Sequence, residues 1–186
     1  MPDIETIILS GDLDTLQLIN PKTKVYSLRR GVKDIILYDQ DLVKEKYGGL
    51  TPGRLLDFKA LKGDPSDNIP GVTGIGEKTA IDLLLKFGSL ENLYKELEEL
   101  SDRAKTLKPK LRETLLKYKE QAFFSKSLAK IKKDVPIDFN LKKFQWGKYE
   151  QKKIIGILEN YEFQTLIKRL PELKRQESVK KNLKLW

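Results

Sequence analysis

The sequence predicts an α/β protein in which a small parallel sheet is followed by a mainly helical module. Three observations carry that expectation. Residues 6–9 (TIIL) form a short unbroken apolar run ending in SGD, as suits a strand buried on both faces. KVYSL and DIILY repeat the strand composition further on. After residue 61 the pattern becomes helical.

Taken in order, Asp14 or Thr15 can cap a short helix through Ile19, and the turn NPKTK leads into the second strand. Residues 40–47 read as a helix ended by Gly48 and Gly49, and Thr51 with Pro52 opens another that runs to about Leu61. Residues 77–87 make a helix stopped by Gly88, and Ser89 caps the next one over 90–100. Pro109 opens a helix through about Phe124 with Leu111, Leu115 and Tyr118 on its buried face. SLAKIKKDVPIDFNL is an extended return segment, residues 149–170 are mostly helical until Pro171, and LKRQESVKKNLKLW is a linker or frayed end. A strand as apolar as TIIL needs neighbours and covering helices, and only MPDIE precedes it. The chain is therefore expected to begin inside a larger domain.

Composition removes most chemistries. The 186 residues contain no cysteine and no histidine, which excludes disulfides, the usual zinc sites, thiol nucleophiles and imidazole bases. With 39% hydrophobic residues and no membrane-length apolar run, the chain reads as a cytoplasmic globular protein. The net charge of +9 is unevenly spread: 0 over residues 1–60, −4 over 61–100, +10 over 101–153 and +3 beyond. An acidic segment followed by a basic one suits a polyanion, with lysines on phosphates and acids on a divalent metal; a solvated lysine-rich surface would look the same.

Two acid pairs stand out. Asp12 and Asp14 follow the C-terminal end of a predicted parallel strand, where open α/β sheets place ligands. Asp64 and Asp67 sit three apart in GDPSDN, so one helical turn points both carboxylates the same way. Magnesium takes a few carboxylates and keeps water and phosphate as its other ligands. Each pair is equally readable as helix capping, with Asp14 or Asp64 as the cap and Pro65 at the first helical position. Capping and metal binding are compatible.

The glycines of GVTGIGEKTA allow positive φ and a close approach to a ligand, and Glu77, Lys78 and Thr79 open a helix whose free N–H groups attract anions. The segment lacks the strand of a dinucleotide loop and the spacing of a Walker loop. Either it is a plain turn between helices, or it grips phosphate backbone without reading bases, with Lys78 adding a point charge.

SGDLDTLQLI, YGGLTPGRLLDFKALKGDPSDNIPGVTGIGEKTA, LLLKFGSLENLY and SLAKIKKDVPIDF, in that order over about residues 5–170, resemble the second half of the 5′ nuclease domain of bacterial DNA polymerase I, of the flap endonuclease-like family. The resemblance implies a PIN-like α/β core completed by a helix-three-turn-helix module that binds duplex or branched DNA. It divides the chain into the C-terminal part of the core (1–61), the DNA-binding module (62–130), the return segment with its C-terminal helix (131–172) and a tail (173–186). It further implies two-metal hydrolysis of phosphodiesters at 5′ ends or flaps, in replication and repair, using Mg2+ or Mn2+.

By position, Asp12, Asp14, Asp64 and Asp67 match the family's second set of catalytic metal-binding acids. Gly74, Ile75, Gly76, Lys78 and Thr79 match its DNA-backbone loop, whose main-chain carbonyls also hold a K+ ion. Lys108, Lys110 and Arg112 are further candidates for phosphate contact, and Trp146 and Trp186 are assigned no role. The family's amino-terminal strand with its aspartate, its basic arch and its first acidic cluster are not matched, and Asp3 and Glu5 do not reproduce that cluster. This pattern leaves two expectations. One is a nuclease active only together with the missing half or a polymerase-linked whole; the other is a non-catalytic duplex-binding module or half of a split nuclease.

Overall fold

In the computed structural model, residues 4–28, 35–144 and 150–170 are described. Strands β1 (Thr6–Ser10), β2 (Thr23–Leu28) and β3 (Ile35–Tyr38) form one sheet in the order β1-β2-β3. β1 and β2 pair in parallel from Thr6 opposite Thr23 to Ser10 opposite Ser27, as expected. β3 instead runs antiparallel to β2, with Val25 opposite Tyr38. The chain between Leu28 and Ile35 is too short for the crossover that a parallel neighbour requires, so the sheet is mixed.

The helices are α1 (Gln40–Lys46), α2 (Leu55–Lys62), α3 (Glu77–Phe87), α4 (Leu90–Glu98), α5 (Asp102–Lys105), α6 (Pro109–Lys117), α7 (Lys119–Ala129), α8 (Gln151–Asn160) and α9 (Gln164–Ile167). The single helix expected over 109–124 is broken at Tyr118, whose backbone leaves the helical region (φ −103°, ψ 21°). α7 then continues to Ala129, so Ser127 to Ala129 are helical rather than extended. Residues 130–140 carry no regular secondary structure. Trp146, Tyr149, Trp186 and the predicted tail lie outside the described residues. Among the described residues no helix is long and apolar enough to cross a membrane.

The described residues up to Asp134 form one compact unit and those from Val135 onward another. The first holds two cores. Leu16, Ile19, Val25, Tyr38, Val43 and Leu55 pack beneath the sheet. The helical core takes Ala80, Leu83, Leu84 and Phe87 from α3 and Leu90, Leu93, Tyr94 and Leu97 from α4, two stripes of identical helical spacing. α2 serves both, giving Leu55 to the first core and Phe58 and Leu61 to the second. At the far side of α2, buried Asp57 accepts the Leu90 N–H at the start of α4 (3.3 Å) and pairs with Lys126 of α7 (2.5 Å). A helix fixed from three sides is a rigid platform for the loop at its C-terminal end. In the second unit α8 and α9 meet at a turn where the Tyr161 and Phe163 rings stack at 6.0 Å.

Candidate metal centre

α2 ends at Gly63, and the next residues fold back on that helix. The Asp64 N–H donates to the Ile69 carbonyl and the Ile69 N–H to the Asp64 carbonyl, both at 2.9 Å, while the Val72 N–H reaches the Leu61 carbonyl at 2.7 Å. Asp64 caps the 3-10 turn Pro65–Asp67: its Oδ1 accepts the Ser66 N–H at 3.0 Å and the Ser66 hydroxyl at 2.6 Å. Gly63 and Gly71 close the base of the loop backbone to backbone, so that a Cβ on Gly71 would stand 2.3 Å from the Gly63 nitrogen. α7 clamps the same point. The buried Ser125 hydroxyl accepts the Gly71 N–H at 3.0 Å, and Gln121 donates to the Gly71 carbonyl at 2.6 Å. Neither side chain is predictable from the sequence, since each lies some fifty residues from the loop it holds.

The other acids come from the turn after β1. Asp12, rather than Asp14 or Thr15, caps the 3-10 turn Leu13–Leu18, its Oδ1 accepting the Asp14 N–H at 2.8 Å. That leaves the Asp14 carboxylate directed toward α2. Asp14, Asp64 and Asp67 each offer an oxygen within 4.8 Å of the others, Asp14 and Asp64 half-buried and Asp67 exposed. The expected four thus divide into a cluster of three and Asp12, which borders the same cavity of about 480 Å³ with one oxygen committed to its turn.

A cation already sits in the cluster. Lys59, in the last turn of α2, directs its ammonium group between Asp14, which it contacts, and Asp64 Oδ2 at 2.7 Å. Burial pushes the Asp64 carboxyl up, but hydrogen bonds from Lys59 and Ser66 and the lysine charge outweigh it and hold the group below its usual range. Tyr47 also lines the cavity, and its phenol is raised by burial first, then by Tyr38, Glu77 and Asp64.

The glycine segment lies just beyond. Ile75 is buried in the helical core and anchors the turn, whereas Gly74 and Gly76 face open space. Gly74 has φ +83°, a conformation that favours glycine. No side chain caps the first turn of α3, whereas Asp39 and Ser89 cap α1 and α4. The N–H groups of Glu77, Lys78 and Thr79 therefore stand where an anion would be attracted. An ion pair between Lys62 and Glu77 (2.8 Å) connects the cavity wall to this turn. Lys108, Lys110 and Arg112 lie at the start of α6 and do not border the cavity; Lys108 and Lys110 are exposed.

Oxygen-only donors from three carboxylates suit a hard divalent ion such as Mg2+ or Mn2+. The ammonium that Asp14 and Asp64 already share marks the spot as one that accepts positive charge.

Comparison with known proteins shows what the chain is similar to. The chain is 44% identical to DNA polymerase I of Bacillus subtilis over 168 residues (90% of this chain, 18% of that protein). It is 38% identical to DNA polymerase I of Bacillus caldotenax over 173 residues (93% and 19%). The chain thus spans less than one fifth of the length of these curated relatives. Among solved structures it is similar in fold to the zinc-bound 5′-exonuclease of phage T5 (TM-score 0.55, 24% identity, 67% of this chain and 42% of that one). It is also similar to the catalytic core of Rad2 in complex with DNA substrate (TM-score 0.51, 19% identity, 82% and 50%). The family described as 5′-3′ exonuclease, C-terminal SAM fold, matches residues 50–152, which include Asp64, Asp67 and the whole glycine turn, and the chain belongs to that family.

Proposed function

We propose that this chain is the metal-holding and DNA-gripping portion of a structure-specific 5′ nuclease, which hydrolyses DNA phosphodiesters at 5′ ends or flaps in cytoplasmic replication and repair. The observation that carries the reading is the convergence of Asp14, Asp64 and Asp67 from two distant segments onto one cavity wall. In this reading the three carboxylates hold Mg2+ or Mn2+, with Asp12 contributing from the rim. Such ions supply a hydroxide nucleophile and neutralise charge on the phosphate and the leaving oxygen. The protein's own part is to fix the geometry. The Gly63 to Gly71 closure holds Asp64 and Asp67, and the Asp12 cap orients Asp14.

The open turn at Gly74 and Gly76 admits the phosphate backbone of duplex DNA to the N–H groups of Glu77, Lys78 and Thr79, with the Lys78 charge beside them. Main-chain carbonyls of the same turn would hold K+. Lys108, Lys110 and Arg112 extend the contact along α6 as point charges on phosphates.

The sheet supports a further partner. β1 is an edge strand of a parallel pair, yet Ile7 is 53% and Leu9 66% exposed, and Ile35 and Leu37 of β3 are exposed as well. Parallel strands are ordinarily covered on both faces. We assign this open face to the remaining part of a nuclease domain, without which the chain cuts slowly. The same observation favours a second reading, in which the chain is a duplex-binding half of a split nuclease.

Branched duplex DNA should bind this chain with steep salt dependence and be cut slowly in Mg2+ or Mn2+. Adding the amino-terminal half of the Bacillus subtilis nuclease domain should restore cleavage, and Asp64→Ala should abolish it. Binding without restored cleavage selects the second reading, and no binding at low salt rejects both.

A further inference from the structure

We propose that Lys59 is the resident counter-ion of the carboxylate cluster, and that a divalent cation enters by displacing its ammonium group. The inference rests on the metal-binding reading above. Three carboxylates with oxygens within 4.8 Å of one another repel unless a positive charge sits among them. Lys59 supplies it. The ammonium bridges Asp14 and Asp64, which come from separate segments of the chain, and its side chain is only 16% exposed. It differs in this from Lys44 with Asp41 or Lys105 with Asp102, which are open neighbours on a single helix.

A small dication held by these carboxylates would draw on the oxygens that the ammonium group now contacts. Since the lysine already contacts Asp14 and lies 2.7 Å from Asp64, ammonium and metal claim the same space and repel each other. The lysine has somewhere to go, because the cavity of about 480 Å³ lies beside it and its four-carbon stem is rotatable. Metal loading is therefore a charge exchange. The site is held in shape by the lysine before the ion arrives, and metal affinity is lower than the carboxylates alone would give.

The test is a Mn2+ titration of the full chain by calorimetry, with Lys59→Met, which keeps an apolar stem, and Lys59→Arg, which keeps the charge. Lys59→Met should bind Mn2+ about tenfold more tightly than the unaltered chain. Lys59→Arg should bind no more tightly. Because Lys59→Met could misfold, the unaltered chain gives a second readout: the Lys59 ammonium 1H–15N resonance should move toward that of a solvent-exposed lysine as Mg2+ saturates. An unaltered chain that binds Mn2+ while Lys59→Met binds equally or less tightly, or a Lys59 resonance that ignores Mg2+, overturns the displacement and leaves the metal reading standing. If neither the chain nor Lys59→Met takes up Mn2+, the metal reading fails, and the displacement with it.

Discussion

Within one stretch of the chain, residues 63–71 and 74–79 use glycine for opposite reasons. In the first, Gly63 and Gly71 have positive φ and lie so close that a Cβ on either would strike backbone, at 2.7 Å from the Ile69 oxygen and 2.3 Å from the Gly63 nitrogen. In the second, nothing stands within 4 Å of a Cβ added to Gly74 or Gly76. The first pair answers to the protein's own packing, which fixes two aspartates. The second leaves a gap that the protein does not itself fill, as a surface kept bare for a partner would.

Gly71→Ala should break the comparison at its most constrained point. A methyl group there meets the Lys62 and Gly63 backbone in a conformation that alanine already resists, so a loss of about 3–4 kcal/mol is expected in urea unfolding. Mn2+ binding should fall with it. Unchanged stability would mean that the Gly63–Gly71 contact does not set the loop.

Ser125→Ala probes the same loop from α7. It leaves the buried Gly71 N–H without its acceptor, for a cost of about 1–3 kcal/mol. Hydrogen exchange at Gly71 should quicken well beyond that of α3. Equal changes in both would indicate general loosening rather than a lost clamp.

Gly76→Ala tests the open segment. Its φ of −88° suits alanine and its surroundings are empty, so stability should stay within about 0.5 kcal/mol of the parent. If the turn binds DNA as proposed, duplex affinity should nonetheless drop about tenfold, equally for all sequences, because the added methyl would stand in the path of the phosphate backbone. A sequence-selective loss would contradict backbone recognition. Gly74→Ala is a poorer probe, because its φ of +83° adds strain to any loss of contact.

The two segments also differ in how far sequence alone reveals them. Asp64 as a cap with Pro65 in the first turn, the start of α3 at Glu77 and its end at Phe87 are local matters of spacing and punctuation, and the sequence predicts them. Lys59 between Asp14 and Asp64 is not local: it needs the β1 turn, the end of α2 and the loop after it brought together. Ser125 and Gln121 on Gly71 are likewise tertiary, and neither residue type at that distance signals its target. The antiparallel β3 and the break at Tyr118 fall between: the first is set by a connection length that the sequence displays, the second by a backbone change that no proline or glycine marks.

The smallest expected effect is the pH dependence of the constrained loop. Asp64 is held below the usual carboxylate range because hydrogen bonds and charge from Lys59 and Ser66 outweigh the upward push of burial. A group whose folded pKa lies below its unfolded value favours folding when ionised. That stabilisation is complete above the unfolded value and disappears as pH falls through the folded one. The loop should therefore weaken on acidification. Partial exposure screens the interaction, so the effect is a shallow slope rather than a transition. Urea midpoints of the parent and Asp64→Asn, followed from neutral pH down through the carboxylate range, should converge as the advantage of the ionised aspartate is lost. Parallel curves would show that the Lys59 pairing shapes the site without stabilising it, leaving the Gly63–Gly71 closure to hold the aspartates alone.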